Sequence, residues 1–163
     1  MYVSMNSLRL TVQSPEHMTQ IGVAIGGLAF PGCVILLTGE LGAGKTVLAQ
    51  GIAQGLDVKS RVTSPTFVIM QQYEGRLPLY HFDMYRLENV NADDIADLGF
   101  DEYIYANGVS VIEWPKIAPH KYLHIDIAYS DENCRELSFR MQGFAYLKII
   151  EGLEKWKYDI INN

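Results

Sequence analysis

Cysteine is nearly absent from this sequence: Cys33 and Cys134 are the only two among 163 residues. Both sit in apolar, strand-like surroundings, so reduced core thiols are expected rather than a disulfide scaffold. No uncharged apolar run reaches about eighteen residues, so no membrane-crossing helix is expected. The start of the chain, Met1-Tyr2-Val3-Ser4, lacks the basic opening and apolar stretch of a secretion signal, and a cytoplasmic address is the default expectation. Basic charge is also in deficit. Thirteen Lys and Arg against nineteen Asp and Glu leave a formal net charge of −6, which argues against binding nucleic acid through the overall field. Repeats, low-complexity stretches and long Gly/Ser linkers are missing, and the length suits one domain spanning residues 1–163.

Apolar patterning is plentiful. Leu8, Leu10 and Val12 alternate with polar residues like a half-buried strand. Ser14-Pro15-Glu16 has the cap, the first-turn proline and the acid of a helix start, and that helix is expected to reach about Leu28, weakened by Gly22, Gly26 and Gly27. Cys33 to Leu37 is an unbroken apolar run, as in a strand covered on both faces, and a helix follows from Lys45 to Gly55. Phe67 to Tyr73 and Leu77 to Phe82 read as a hairpin around Glu74-Gly75-Arg76. A short helix capped by Asn91 runs to Leu98 and closes at Gly99. Strands are expected at Val109–Ile112, Tyr122–Ile127 and Arg135–Met141, and Phe144, Leu147, Ile150, Leu153 and Trp156 mark a closing amphipathic helix. Strands interleaved with helices predict an α/β protein with a mostly parallel central sheet and one antiparallel hairpin.

The sharpest chemical signal is Gly39-Glu40-Leu41-Gly42-Ala43-Gly44-Lys45-Thr46, which matches G-x-x-x-x-G-K-[ST]. Its glycines let backbone N–H groups approach phosphate oxygens. Lys45 is suited to bridge the β- and γ-phosphates, and Thr46 offers a hydroxyl to Mg2+. The following helix points its positive end at the same anion. A nucleoside triphosphate is therefore expected to bind here. The second metal carboxylate has two candidates at strand ends, Asp83 and Glu113. Glu113 follows the cleaner apolar strand and is assigned to the metal, leaving Asp83 to position or activate water or to reach the metal through one. His81, alone in a strand, reads as structural more readily than as a base. Trp114 is either core or a lid over the pocket. Thr63-Ser64-Pro65-Thr66 suits a loop that senses the γ-phosphate.

Four segments together resemble the bacterial TsaE ATPases: G-E-L-G-A-G-K-T at 39–46, T-S-P-T-F at 63–67, H-F-D-M-Y-R at 81–86 and E-W-P at 113–115. Order and spacing agree, and the likeness runs from about residue 8 to 141. The resemblance implies a P-loop NTPase-like three-layer sandwich and an ATPase needed for N6-threonylcarbamoyladenosine (t6A37) in tRNA. It also implies work alongside the TsaB and TsaD proteins, with tRNA met only through that assembly. By the same resemblance, Leu41, Gly42, Ala43, Gly44, Lys45 and Thr46 bind the phosphates of ATP, and Glu16 lies near the base. Thr46 and Glu113 hold Mg2+, and Asp83 and Trp114 belong to the active site. A small-molecule kinase would use the same phosphate grip but calls for an arginine-rich lid, and the arginines here are scattered. A GTP switch would need an Asn-Lys-x-Asp reader, which the chain lacks. A third alternative is a module whose nucleotide only props up a docking surface. With no glutamine or arginine finger evident in the chain, slow turnover in isolation is expected.

Overall fold

A computed structural model describes residues 8–65 and 68–162. The strands are β1 (Leu8–Val12), β2 (Val34–Gly39), β3 (Met70–Tyr73), β4 (Leu79–Asp83), β5 (Val109–Glu113), β6 (Tyr122–Tyr129) and β7 (Arg135–Gln142). The helices are α1 (Pro15–Leu28), α2 (Lys45–Gly55), α3 (Ala92–Ala96), α4 (Asp101–Ile104) and α5 (Leu147–Asn162). One sheet runs in the order β1-β7-β6-β2-β5-β4-β3. Its centre is parallel, with β2 pairing β5 and β6, and β5 pairing β4. Both flanks are antiparallel: β3 against β4 on one side, β6-β7-β1 on the other.

The parallel centre and the β3-β4 hairpin agree with expectation, whereas the β6-β7-β1 wing is a second antiparallel unit beyond the one hairpin. Its cause is connection length. Only Ser130 to Cys134 separate β6 from β7, and a parallel return needs a crossover of about a dozen residues or more.

Alternation along β2 sends Ile35 and Leu37 into a core beneath α1, α2 and α5, and Val34 and Leu36 into a second core beneath α3 and α4. The helices thus cover both faces in three layers. On the wing, by contrast, Arg9, Thr11 and Asp126 are exposed while their neighbours are buried, which is the one-sided pattern of an antiparallel sheet facing water.

Ser14 caps α1 by accepting from His17 N–H at 3.0 Å, and Asn91 caps α3 by accepting from Asp94 N–H at 2.8 Å. The glycines that weaken α1 as a helix serve its packing. A Cβ at Gly22 would lie 2.7 Å from Gly51 Cα, and one at Gly26 would lie 2.2 Å from the Ile52 carbonyl oxygen. Backbones of α1 and α2 meet there, and α2 is seated against the sheet accordingly.

Some local expectations shift. The first hairpin strand begins at Met70, after a bend at Val68 and Ile69, while Thr66 and Phe67 lie outside the described residues. Phe144 is 77 % exposed in a 3-10 turn, and Tyr146 takes the buried place, its hydroxyl donating to the Lys121 carbonyl at 3.4 Å and accepting from Val34 N–H at 2.8 Å. Cys134 sits in a loop rather than a strand, because the Asp131 carboxylate accepts from Asn133 and Cys134 N–H at 3.0 and 2.9 Å and turns the chain. Cys33 and Cys134 are both free thiols.

Candidate functional site

The parallel centre ends, at its carboxyl edge, in Gly39, Glu113 and Asp83, where ligands bind in open α/β sheets. From Gly39 the chain enters the glycine-rich loop. Gly42 and Gly44 adopt φ of +79° and +114°, a left-handed backbone that a side chain would strain. Gly44 is also the N-cap of α2 and contributes no capping side chain, so the first amides of α2 keep their donors directed out of the helix.

Around this edge lies a cavity of about 270 Å³ lined by Lys45, Thr46, Ser64, Asp83, Glu113 and Trp114 together with the loop backbone, Leu41 included. Asp83 and Glu113 come together through register: β4 and β5 pair in parallel with Asp83 opposite Glu113. Thr46 Oγ1 donates to Glu113 Oε1 at 3.1 Å and lies 3.1 Å from Ser64 Oγ. The Thr-Ser-Pro-Thr segment therefore reaches the same hydroxyl as the strand-end glutamate, through Ser64.

Lys45 is folded onto its own loop. Its ammonium donates to the Gly39 and Glu40 carbonyls at 2.7 and 2.8 Å and lies 4.1 Å from the centre of the Trp114 ring. Burial pushes its pKa below the ordinary lysine value, and the carboxylates of Glu113, Asp83 and Asp126 pull it back up. Trp114 holds its place with a positive φ of +53°, rare for a bulky residue and stored strain at a site. Tyr85 packs edge-on against it, ring centroids 5.0 Å apart.

The histidine-to-arginine motif acquires a physical reading. Asp83 lines the cavity and accepts from Tyr85 N–H at 3.0 Å. Phe82 and Met84 are fully buried in the second core, and Met84 N–H donates to the Glu113 carbonyl at 3.0 Å. Tyr85 supports Trp114. His81 is fully buried on the α2 side, its Nε2 2.6 Å from Glu113 Oε2.

On the other side of the loop, a second cavity of about 140 Å³ is lined by apolar Val12, Pro15, Met18, Ala43 and Val47, with Asn133 and Arg135 at its polar side. Arg135 donates to the Ala43 carbonyl at 3.3 Å and stacks over Tyr129 at 4.0 Å. Glu16 is exposed on the first turn of α1, between cavity-lining Pro15 and Met18. Sequence reasoning missed Asn133 and Arg135, since only the β1-β7-β6 order carries them to the glycine-rich loop.

The model for the family described as "Threonylcarbamoyl adenosine biosynthesis protein TsaE" matches residues 12–137. This chain belongs to the TsaE family. A protein of Bacillus subtilis named tRNA threonylcarbamoyladenosine biosynthesis protein TsaE is 38% identical over 98% of this chain and 100% of its own length. Its namesake in Treponema pallidum is 42% identical over 66% of this chain and 78% of its own length. Among solved structures, Bacillus subtilis YdiB superposes with a TM-score of 0.78 at 34% identity, covering 95% of this chain and 99% of that one. The three-layer α/β fold of this TsaE-family chain is thus also the fold of a crystallised protein.

Proposed function

We propose that this chain acts in forming N6-threonylcarbamoyladenosine in tRNA, as a Mg2+-dependent ATPase that works with TsaB and TsaD. Its family and the name carried by its relatives support the pathway. One observation carries the ATPase reading: Thr46, Glu113 and Asp83 converge on the cavity at the free N-terminus of α2.

The donor set fits magnesium. A hydroxyl and carboxylates are hard oxygen ligands, and Mg2+ takes one or two protein oxygens and completes its shell with phosphate and water. Among the described residues no group of three His, Cys, Asp or Glu forms a metal cage, consistent with an ion bound together with its nucleotide. Thr46 and Glu113 would hold it. When bound, the ion neutralises charge on the phosphate oxygens.

The chain's own groups do the rest. Amides of residues 41–46 bind phosphate oxygens, and Lys45 turns from its loop carbonyls toward them. Asp83 orients or activates the attacking water, Ser64 senses the terminal phosphate beside Thr46, and Trp114 covers the site. The apolar cavity against α1 takes the adenine, with Glu16 at its rim. Among the described residues lining the phosphate cavity there is neither Arg nor Gln. Turnover alone is therefore slow, since a transition-state finger contributes about 10³–10⁵ in rate. With a net charge of −6, tRNA is met through the assembly, in the cytoplasm.

The test is phosphate release from ATP and GTP with and without TsaB and TsaD, in Mg2+ and in EDTA. ATP-selective, Mg2+-dependent turnover that rises with the partners is expected. GTP preference, or phosphate transferred to an added small molecule, would overturn the reading.

A further inference from the structure

We propose that His81 is a positioning residue for the metal-binding carboxylate: its Nε2–H holds Oε2 of Glu113, so that Oε1 stays turned toward Thr46 and the metal. This rests on the reading above that Glu113 binds Mg2+.

The geometry separates this role from simple packing. His81 is fully buried, and Glu113 is 2 % exposed. Nε2 and Oε2 are 2.6 Å apart, a charge-assisted distance. The other ring nitrogen, Nδ1, is buried and has no hydrogen-bond partner among the described residues. A histidine placed to satisfy a core would have both nitrogens paired, because burying an unpaired polar atom costs stability. Around it on the same face, Leu37, Leu79 and Val111 fill comparable positions with hydrocarbon. An apolar residue would serve packing better, so the contact with Glu113 is what this imidazole supplies.

Two anchors on one carboxylate fix its rotation. Thr46 Oγ1 binds Oε1 and His81 Nε2 binds Oε2. When Thr46 and Oε1 turn to a metal, His81 remains the anchor that keeps the plane of the carboxylate from swinging. Hydrogen-bonded ligands of this kind bind their ions more tightly by about 10–100-fold.

The experiment compares His81→Asn with His81→Gln. The Gln amide nitrogen overlays imidazole Nε2 and still reaches Oε2, whereas the Asn amide overlays Nδ1 and does not. Mn2+ binding is followed by electron paramagnetic resonance in the presence of a non-hydrolysable ATP analogue, and affinity for the analogue alone is measured in EDTA. Expected are a metal affinity about 10–100-fold weaker in H81N, a value within about threefold of the parent in H81Q, and analogue affinity in EDTA unchanged in both. Glu113→Gln separates the two ideas. If E113Q leaves Mn2+ binding intact, the metal assignment falls and takes this proposal with it. If E113Q weakens Mn2+ while H81N does not, or H81N and H81Q weaken it equally, the positioning role alone is refuted. Equal losses of melting temperature in H81N and H81Q with metal affinity untouched would likewise make His81 structural only.

Discussion

Adjacent glycines in α1 should respond to alanine with opposite signs. At Gly27 a Cβ would meet nothing within 4 Å among the described residues. Alanine there gains the helix preference alone, about 0.5–1 kcal/mol. At Gly26 the same preference is opposed by packing. The new Cβ would stand 2.2 Å from the Ile52 carbonyl oxygen and 2.9 Å from Gly55 Cα, where ordinary contact begins at 3.4 Å. Those neighbours are backbone and cannot swing aside, so α1 and α2 must separate locally by about 1 Å in a close-packed interior. Overpacking of this kind costs about 1–3 kcal/mol, and the backbone clash puts Gly26 at the upper end. The packing cost outweighs the propensity gain. With about 2–4 °C per kcal/mol for a chain of this size, Gly27→Ala should melt a few degrees higher and Gly26→Ala several degrees lower. Urea unfolding at constant m-value, alongside thermal melts, measures both. Because α2 begins at Lys45 and Thr46, Gly26→Ala should also weaken nucleotide binding while Gly27→Ala leaves it unchanged. A stabilised Gly26→Ala, or a Gly27→Ala that melts lower than the parent, would refute the claim that close helix approach decides these positions.

Lys45→Ala should abolish ATP hydrolysis in a phosphate-release assay, since it removes the ammonium from the phosphate grip. Filling the site must draw Lys45 off the face of Trp114, so ATP binding should change tryptophan emission in the parent and in Trp156→Phe but not in Trp114→Phe, read by fluorescence titration. Burial pushes the Cys33 thiol from an ordinary 9 up to about 12. In that window the unfolded thiol ionises and the folded one does not, so Cys33 lowers the folding equilibrium by roughly tenfold per pH unit from pH 9 upward, and below pH 9 it contributes no such loss. Urea midpoints of the parent and of Cys33→Ala against pH should diverge only in that range.

Much of this was legible in the residues. Alternating Leu8, Leu10 and Val12, the Ser14 and Asn91 caps and the apolar run into Gly39 are local signals, and local hydrogen bonding and burial decide them. The glycine-rich turn into α2 was legible for the same reason: contiguous residues build it. Other features depend on partners distant in sequence. Gly22 and Gly26 read as helix weaknesses until Gly51 and Gly55 are seen to press against them. Phe144 fits the helical spacing, but the 3-10 turn at Phe144–Tyr146 rotates it outward and buries Tyr146 instead. His81 reads as a core histidine because nothing nearby in sequence reveals that β4 and β5 run side by side, setting it two residues before the register level of Glu113.

The two halves of the sheet divide the proposed labour, and this explains which parts of the site the motifs announce. In the parallel centre, each strand end delivers one group to the same edge: β2 the glycine-rich loop, β4 Asp83 and β5 Glu113. Such groups follow immediately after apolar runs, so the sequence punctuates them. The antiparallel wing works differently. Its strands reverse direction, so Arg135 at the start of β7 lies level with Tyr129 at the end of β6 and with Val12 at the end of β1. Arg135, Val12 and the first turn of α1 make the second cavity against Ala43 and Val47. No single segment carries that cavity; it exists only because β1 pairs with a strand more than a hundred residues away. The proposed phosphate grip is therefore written locally in this chain, whereas the pocket proposed for the base is written in its topology.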